Sequence, residues 1–205
     1  MHPEALTEKG KEIFQKLPAF PEYYLAGGTA LALHLGHRQS IDFDLFSSDP
    51  IPRDLLAIAE RIFNPAAIVP SVNNADELTI FADDVKVTFL RYPFPLLADL
   101  TMYEGMRMLS VAELAATKAY TIGRRGTFKD YVDLHAILSG GHASLGAIID
   151  LAKRKYSAEF NARLFLEQLI YLDDIEDAGI IFLNDPVGKA DIRSFFESRV
   201  RDLRL

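Results

Sequence analysis

Cysteine is absent from all 205 positions of the chain. That excludes disulfides and thiolate metal sites, and it suits a reducing compartment. No apolar run reaches the roughly eighteen residues that a membrane-spanning helix needs. The charged first fifteen residues lack the apolar stretch of a secretory signal. No internal repeat and no low-complexity segment is present. The expected location is therefore cytoplasmic, with no membrane association. Basic charge is scarce in the first part of the chain. Residues 1–117 carry 9 basic and 16 acidic residues, whereas residues 118–205 carry 13 of each. An acidic whole argues against non-specific coating of nucleic acid. One local stripe departs from this: Lys118, Arg124, Arg125 and Lys129 lie in a stretch without an acid. His34 and His37 are three apart, but no third ligand accompanies them, so they read as structural rather than as a zinc site.

The residues that are present divide the chain into two textures. Up to about Gly105, short helices mix with strand-like runs. Lys11 to Leu17 predicts a short helix stopped by Pro18. Tyr23 to Ala26 predicts a buried strand. Gly27 and Gly28 break it, and Thr29 is placed to N-cap a helix over Ala30 to Leu35. Ile41 to Phe46 alternates apolar and acidic residues, which predicts a strand with Asp42 and Asp44 on one face. Its apolar members Ile41, Phe43, Leu45 and Phe46 are expected to be buried. Arg53 to Phe63 has helical period. Leu78 to Phe81 and Val85 to Leu90 predict a hairpin. The second half reads as all helical. Ser110 and Glu113 make a capping-box pattern for a helix through Ala119, punctuated by Gly123 and Gly126. Thr127 caps a helix from Phe128 to Leu138, and Gly140 and Gly141 stop it. Ser144 and Ser157 open two more. Ile192, Phe195, Phe196, Val200 and Leu203 keep helical spacing, so the tail packs. His135 reads as a core histidine, and the run Lys153, Arg154, Lys155 as a solvated face. The expected fold is α+β: a mixed β-sheet flanked by helices over residues 1–105, then a helical domain over 106–205.

The chemistry concentrates where Gly27, Gly28 and Thr29 are followed, after twelve intervening residues, by Asp42 and Asp44. A strand, a Gly-Gly turn and a helix start make an anion site, because glycine lets a phosphate approach and the first-turn amides point at it. Two carboxylates two residues apart on a strand project on one side. Beside a phosphate site they suit Mg²⁺, which keeps few protein ligands and shares phosphate oxygens. Arg38 and Ser40 lie just before the acid strand. Arg38 either neutralises the acid pair or grips a phosphate, and Lys86 has the same two readings. Lys118, within a helix rich in alanine, is a surface lysine or a triphosphate contact.

The run from Tyr24 to Phe46, YLAGGTALALHLGHRQSIDFDLF, resembles the first motif of the AbiEii/AbiGii toxin family, within the polymerase-β-like nucleotidyltransferases. A second similarity runs from Glu113 to Leu138 through Lys118, Arg124, Arg125, Lys129, Asp130 and Asp133. The resemblance implies a nucleotidyltransferase-like catalytic domain, a helical domain completing the cleft, and an NTP as substrate. It implies transfer of an NMP to RNA, such as the tRNA acceptor end, by the toxin of a toxin–antitoxin or abortive-infection system, with a cognate antitoxin as partner. By resemblance, Gly27, Gly28 and Thr29 match the phosphate turn, Asp42 and Asp44 the metal carboxylates, Lys118 the lysine near the phosphates, and Asp130 and Asp133 the last acidic pair.

One position departs from that pattern. The superfamily places a third carboxylate on a later strand as general base, and here that strand carries Thr88. A threonine does not accept a proton at neutral pH as a carboxylate does. Asp130, in the first turn of a helix and near cations, is the candidate substitute. The alternatives are a catalytically degenerate nucleotide-binding partner protein and a nucleotidyltransferase acting on a small molecule.

Overall fold

The computed structural model describes residues 1–176 and 179–203. They form two compact units. The first holds residues 1–94 and 99–109, the second residues 95–98 and 110–205.

The first unit is built on a seven-stranded mixed sheet in the order β3-β4-β5-β2-β1-β7-β6. The strands are β1 (Tyr24–Ala26), β2 (Phe43–Ser47), β3 (Ile68–Asn73), β4 (Glu77–Ala82), β5 (Val85–Arg91), β6 (Thr101–Tyr103) and β7 (Met106–Met108). β2 lies between an antiparallel β1 and a parallel β5. Its alternation decides its faces: Phe43 and Leu45 are fully buried, while Asp42 and Asp44 are partly exposed. Ile41 was expected in the core but is 52% exposed, because the strand proper starts only at Phe43. On the apolar face, Leu78, Ile80, Val87 and Phe89 continue the layer, all fully buried. Phe20 packs edge-on to Phe89 at 4.8 Å and against Phe63 at 5.5 Å. Burial of side chains this size contributes roughly 1.5–3 kcal/mol each. Helix α1 (Glu8–Phe14) is capped by Thr7, whose hydroxyl accepts from the Gly10 amide at 3.0 Å. Helices α2 (Gly27–Leu35) and α3 (Leu55–Phe63) complete the unit.

The predicted hairpin is present. Asp83 and Asp84, both at positive φ (46° and 72°), form its two-residue turn, as tight hairpins between right-twisted strands require.

The second unit is helical: α4 (Val111–Arg125), α5 (Phe128–Ser139), α6 (Leu145–Tyr156), α7 (Ala162–Ile170) and α8 (Lys189–Arg201). α4 runs straight through Gly123, six residues past its expected end at Ala119. Ser144 caps α6 through the Ala147 amide at 3.2 Å. Ser157 opens only a short 3-10 turn, and α7 is capped by Asn161, whose Oδ1 accepts from the Leu164 amide at 3.1 Å. In α8, Ile192 and Phe196 are fully buried, which accounts for the helical spacing of the tail. His135 is half-buried with its ring edge-on to Phe195 at 4.6 Å.

Candidate active site

In the first unit, α2 begins directly at Gly27, so Thr29 is its third residue and not its N-cap. The N-cap is Ala26, which offers no side-chain acceptor to the first-turn amides. The Thr29 hydroxyl points elsewhere. It lies 2.8 Å from the Ser40 hydroxyl and within hydrogen-bond reach of the Asp42 carbonyl. Ser40 in turn is anchored by its amide to the Ala5 carbonyl at 2.9 Å. These bonds hold the loop before the acid strand against the start of α2. Arg38 is buried in the same loop and donates to the Gln39 carbonyl at 3.0 Å.

Asp44 pairs across the ladder with Ala26 on one side and Thr88 on the other. Residues opposite each other in a ladder project on the same face, so Asp44 and Thr88 share it. Lys86 lies one pleat along on that face, and Asp42 stands immediately before the paired Phe43, just outside the ladder. Gly27 borders the same spot. It has φ +65°, and a Cβ built on it would stand 2.1 Å from Asp44 Oδ2. Only a residue without a side chain permits this approach. A divalent cation fits this donor set, because Mg²⁺ accepts one or two carboxylates and takes its other oxygens from water and phosphate. Among the described residues no group of three or more His, Asp or Glu side chains stands ready to hold a metal.

The second unit gathers the other candidates. Lys118 on α4 is 7% exposed. Its Nζ lies 2.8 Å from Asp130 Oδ1 and 2.6 Å from Asp133 Oδ2. Burial works against its charge, but the Asp133 and Asp130 carboxylates outweigh burial and hold its pKa above the ordinary value. Asp130 also closes the capping box of α5: its Oδ2 accepts from the Thr127 amide at 2.8 Å and the Thr127 hydroxyl at 2.9 Å. Both oxygens of Asp130 are thus engaged. Asp133 is fully buried. Arg124 reaches Glu159 at 3.3 Å and lies over the Tyr120 ring at 4.3 Å.

Sequence reasoning placed Lys155 on a solvated face, and the structure corrects this. Lys155 is 2% exposed. It donates to Glu113 Oε2 at 2.6 Å and to the Pro95 carbonyl at 2.8 Å. Glu113 therefore does not fold back to close a box with Ser110. Its Oε1 accepts from the Ala98 amide at 3.0 Å and from the Leu97 amide at 2.5 Å. The signal available in sequence was the spacing of Ile148, Ile149, Ala152 and Tyr156, which puts Lys155 on the apolar stripe of α6.

This sheet, with Asp44 on its central strand beside a glycine turn, defines a nucleotidyltransferase fold. MenT4, a nucleotidyltransferase toxin from Mycobacterium tuberculosis, superposes with a TM-score of 0.59 at 17% identity, over 94% of this chain and 83% of that one. JHP933 from Helicobacter pylori superposes with a TM-score of 0.53 at 18% identity, over 80% and 90%. The family model "Nucleotidyl transferase AbiEii toxin, Type IV TA system" matches residues 12–95 and 77–205, and the chain belongs to that family. Uncharacterized protein aq_aa25 of Aquifex aeolicus is 28% identical over 202 residues, covering 96% of this chain and 97% of its own length. Among the described residues no helix is long and apolar enough to cross a membrane.

Proposed function

We propose that the protein is a Mg²⁺-dependent nucleotidyltransferase that moves an NMP from an NTP to an RNA acceptor such as tRNA, as a toxin countered by a cognate antitoxin. The observation that carries this reading is Asp44 on the central strand, with Gly27 leaving room at Asp44 Oδ2 and Asp42 at the entry to the same strand. Asp42 and Asp44 would hold the Mg²⁺. When bound, the ion would neutralise triphosphate charge and favour the ionised acceptor hydroxyl. The uncapped amides at Gly27, Gly28 and Thr29 donate to phosphate oxygens. Ser40 and Thr29 keep the acid-strand loop in register for that contact. Arg38 and Lys86 supply positive charge in the same unit. For Lys118 the family resemblance implies a triphosphate role, with Asp130 and Asp133 keeping it charged and oriented. Asp130, with both oxygens engaged, acts through Lys118 in this reading.

Thr88 supports a second reading, a degenerate member that binds nucleotide without turnover. Calorimetry with Mg²⁺ and each of the four NTPs tests the shared part. Wild type should bind one or more, and Asp42→Asn and Asp44→Asn should each weaken binding about tenfold or more, near 1.4 kcal/mol, with the fold intact. Equal affinity in these variants would remove the metal assignment. Incubation with radiolabelled NTP and total RNA separates the readings: labelled RNA supports transfer, and binding without label supports the degenerate member.

A further inference from the structure

The strand position opposite Asp44 carries Thr88, and the structure does not leave that hydroxyl alone. Thr88 Oγ1 lies 3.2 Å from Thr79 Oγ1 on the neighbouring strand, its register partner. Thr79 Oγ1 lies 2.6 Å from Glu77 Oε1, two residues back on the same face of β4. Glu77 itself is set by the turn before β4, where Asn74 Oδ1 accepts its amide at 2.9 Å. Thr88 is 8% and Thr79 4% exposed, whereas Glu77 is partly open to solvent.

The chemistry gives this row a direction. An ionised carboxylate only accepts, so the single Thr79 proton goes to Glu77. Thr79 then accepts, and the Thr88 proton goes to Thr79. Thr88 Oγ1 is left with acceptor capacity on the face that it shares with Asp44. Resting on the transferase reading above, we propose that Thr88, Thr79 and Glu77 form a proton relay that takes the place of the missing third carboxylate. The acceptor hydroxyl oxygen forms a bond to the α-phosphorus, and the bond from that phosphorus to pyrophosphate breaks, its electron pair leaving with pyrophosphate. The hydroxyl proton passes to Thr88 Oγ1 as the Thr88 proton passes to Thr79 and the Thr79 proton to Glu77. Glu77 ends neutral and returns its proton to water at its exposed side. Glu77 is thus a positioning residue that acts through two hydroxyls. The charges around it are few. Lys86 shares its face on β5, the Arg91–Asp76 pair at 3.1 Å flanks it, and β3 carries no titratable side chain.

A cross-strand Thr–Thr bond also serves as plain sheet stabilisation, so the test reads something that stability does not move. Steady-state transfer with total RNA and labelled NTP is compared for wild type, Glu77→Gln, Thr79→Val, Thr79→Ser and each lesion combined with Thr88→Asp. Mg²⁺·NTP affinity is measured by calorimetry in parallel. The relay predicts a fall in kcat of about 100-fold or more for Glu77→Gln and Thr79→Val, with NTP affinity and KM unchanged. Thr79→Ser should stay near wild type. Thr88→Asp should restore turnover to both crippled variants, because it puts a carboxylate directly opposite Asp44. Wild-type kcat in Glu77→Gln overturns the relay, and so does a loss that Thr88→Asp fails to rescue. Wild type that binds Mg²⁺·NTP but transfers nothing overturns the relay while nucleotide binding stands. Absence of Mg²⁺·NTP binding in wild type overturns the transferase reading itself.

Discussion

Gly27 shows how much the site depends on a missing atom. Its φ of +65° and the 2.1 Å gap between a built Cβ and Asp44 Oδ2 are two separate demands for glycine. Gly27→Ala meets a left-handed penalty of roughly 1–2 kcal/mol and drives Asp44 from its place. The expected outcome is a modestly less stable protein, by urea denaturation, whose Mg²⁺·NTP binding is lost in calorimetry. Around this glycine, sequence reasoning succeeded where periodicity is short and strict. Alternation along β2 was enough to put Phe43 and Leu45 in the core and Asp44 on the other face. It failed where a hydroxyl had more than one use. Thr29 matches an N-cap by position, yet its oxygen ties Ser40 and the Asp42 carbonyl instead. Asp130 was legible as a first-turn acid, but its bond to Lys118 spans twelve residues and two helices, beyond any local pattern.

At the scale of elements, the clearest case is the join of α4 to α6 by Glu113 and Lys155, both side chains fully buried. A buried pair that loses one partner costs about 3–5 kcal/mol, because the other charge is left uncompensated. Lys155→Met should therefore lower the unfolding free energy obtained from urea denaturation by that much. Adding Glu113→Gln to it should restore part of the loss, since an amide oxygen still accepts from Leu97 and Ala98. Most elements were legible: the hairpin of β4 and β5, the acid strand, and α5 with its Thr127 start. β3 escaped because Pro70 and a register irregularity interrupt its pattern at the sheet edge. β6 and β7 escaped because three residues are too few for an alternation to stand out from the sequence. The run from Lys153 to Lys155 has the charge of a solvated face, but its last residue falls on the buried side of α6.

For the whole molecule, a half-buried histidine and a buried lysine each make stability depend on pH. Burial keeps the His135 imidazole below its ordinary 6.5, a shift that Asp191 opposes only partly. A depressed folded pKa means that the unfolded chain takes the proton first. Stability is then full above about 6.5 and falls as pH drops toward the folded value. Lys118 runs the other way. Its folded pKa is raised, so its contribution is full below the ordinary 10.5 and is lost as pH rises through the higher folded value. Thermal melts across pH should show both limbs, with His135→Phe flattening the acid one and Lys118→Met the alkaline one. A different kind of consequence follows from residues 95–98, which belong to the helical unit although residues 99–109 return to the sheet unit. The covalent chain passes between the units three times, so no single cut divides the protein into two complete parts. A fragment starting at Ser110 forfeits the Leu97 and Ala98 amides and the Pro95 carbonyl that Glu113 and Lys155 use. A fragment ending at Phe94 forfeits β6 and β7. The halves are separate as folded bodies but not as genetic modules, and exchange of one half between relatives has to carry a four-residue splinter of the other.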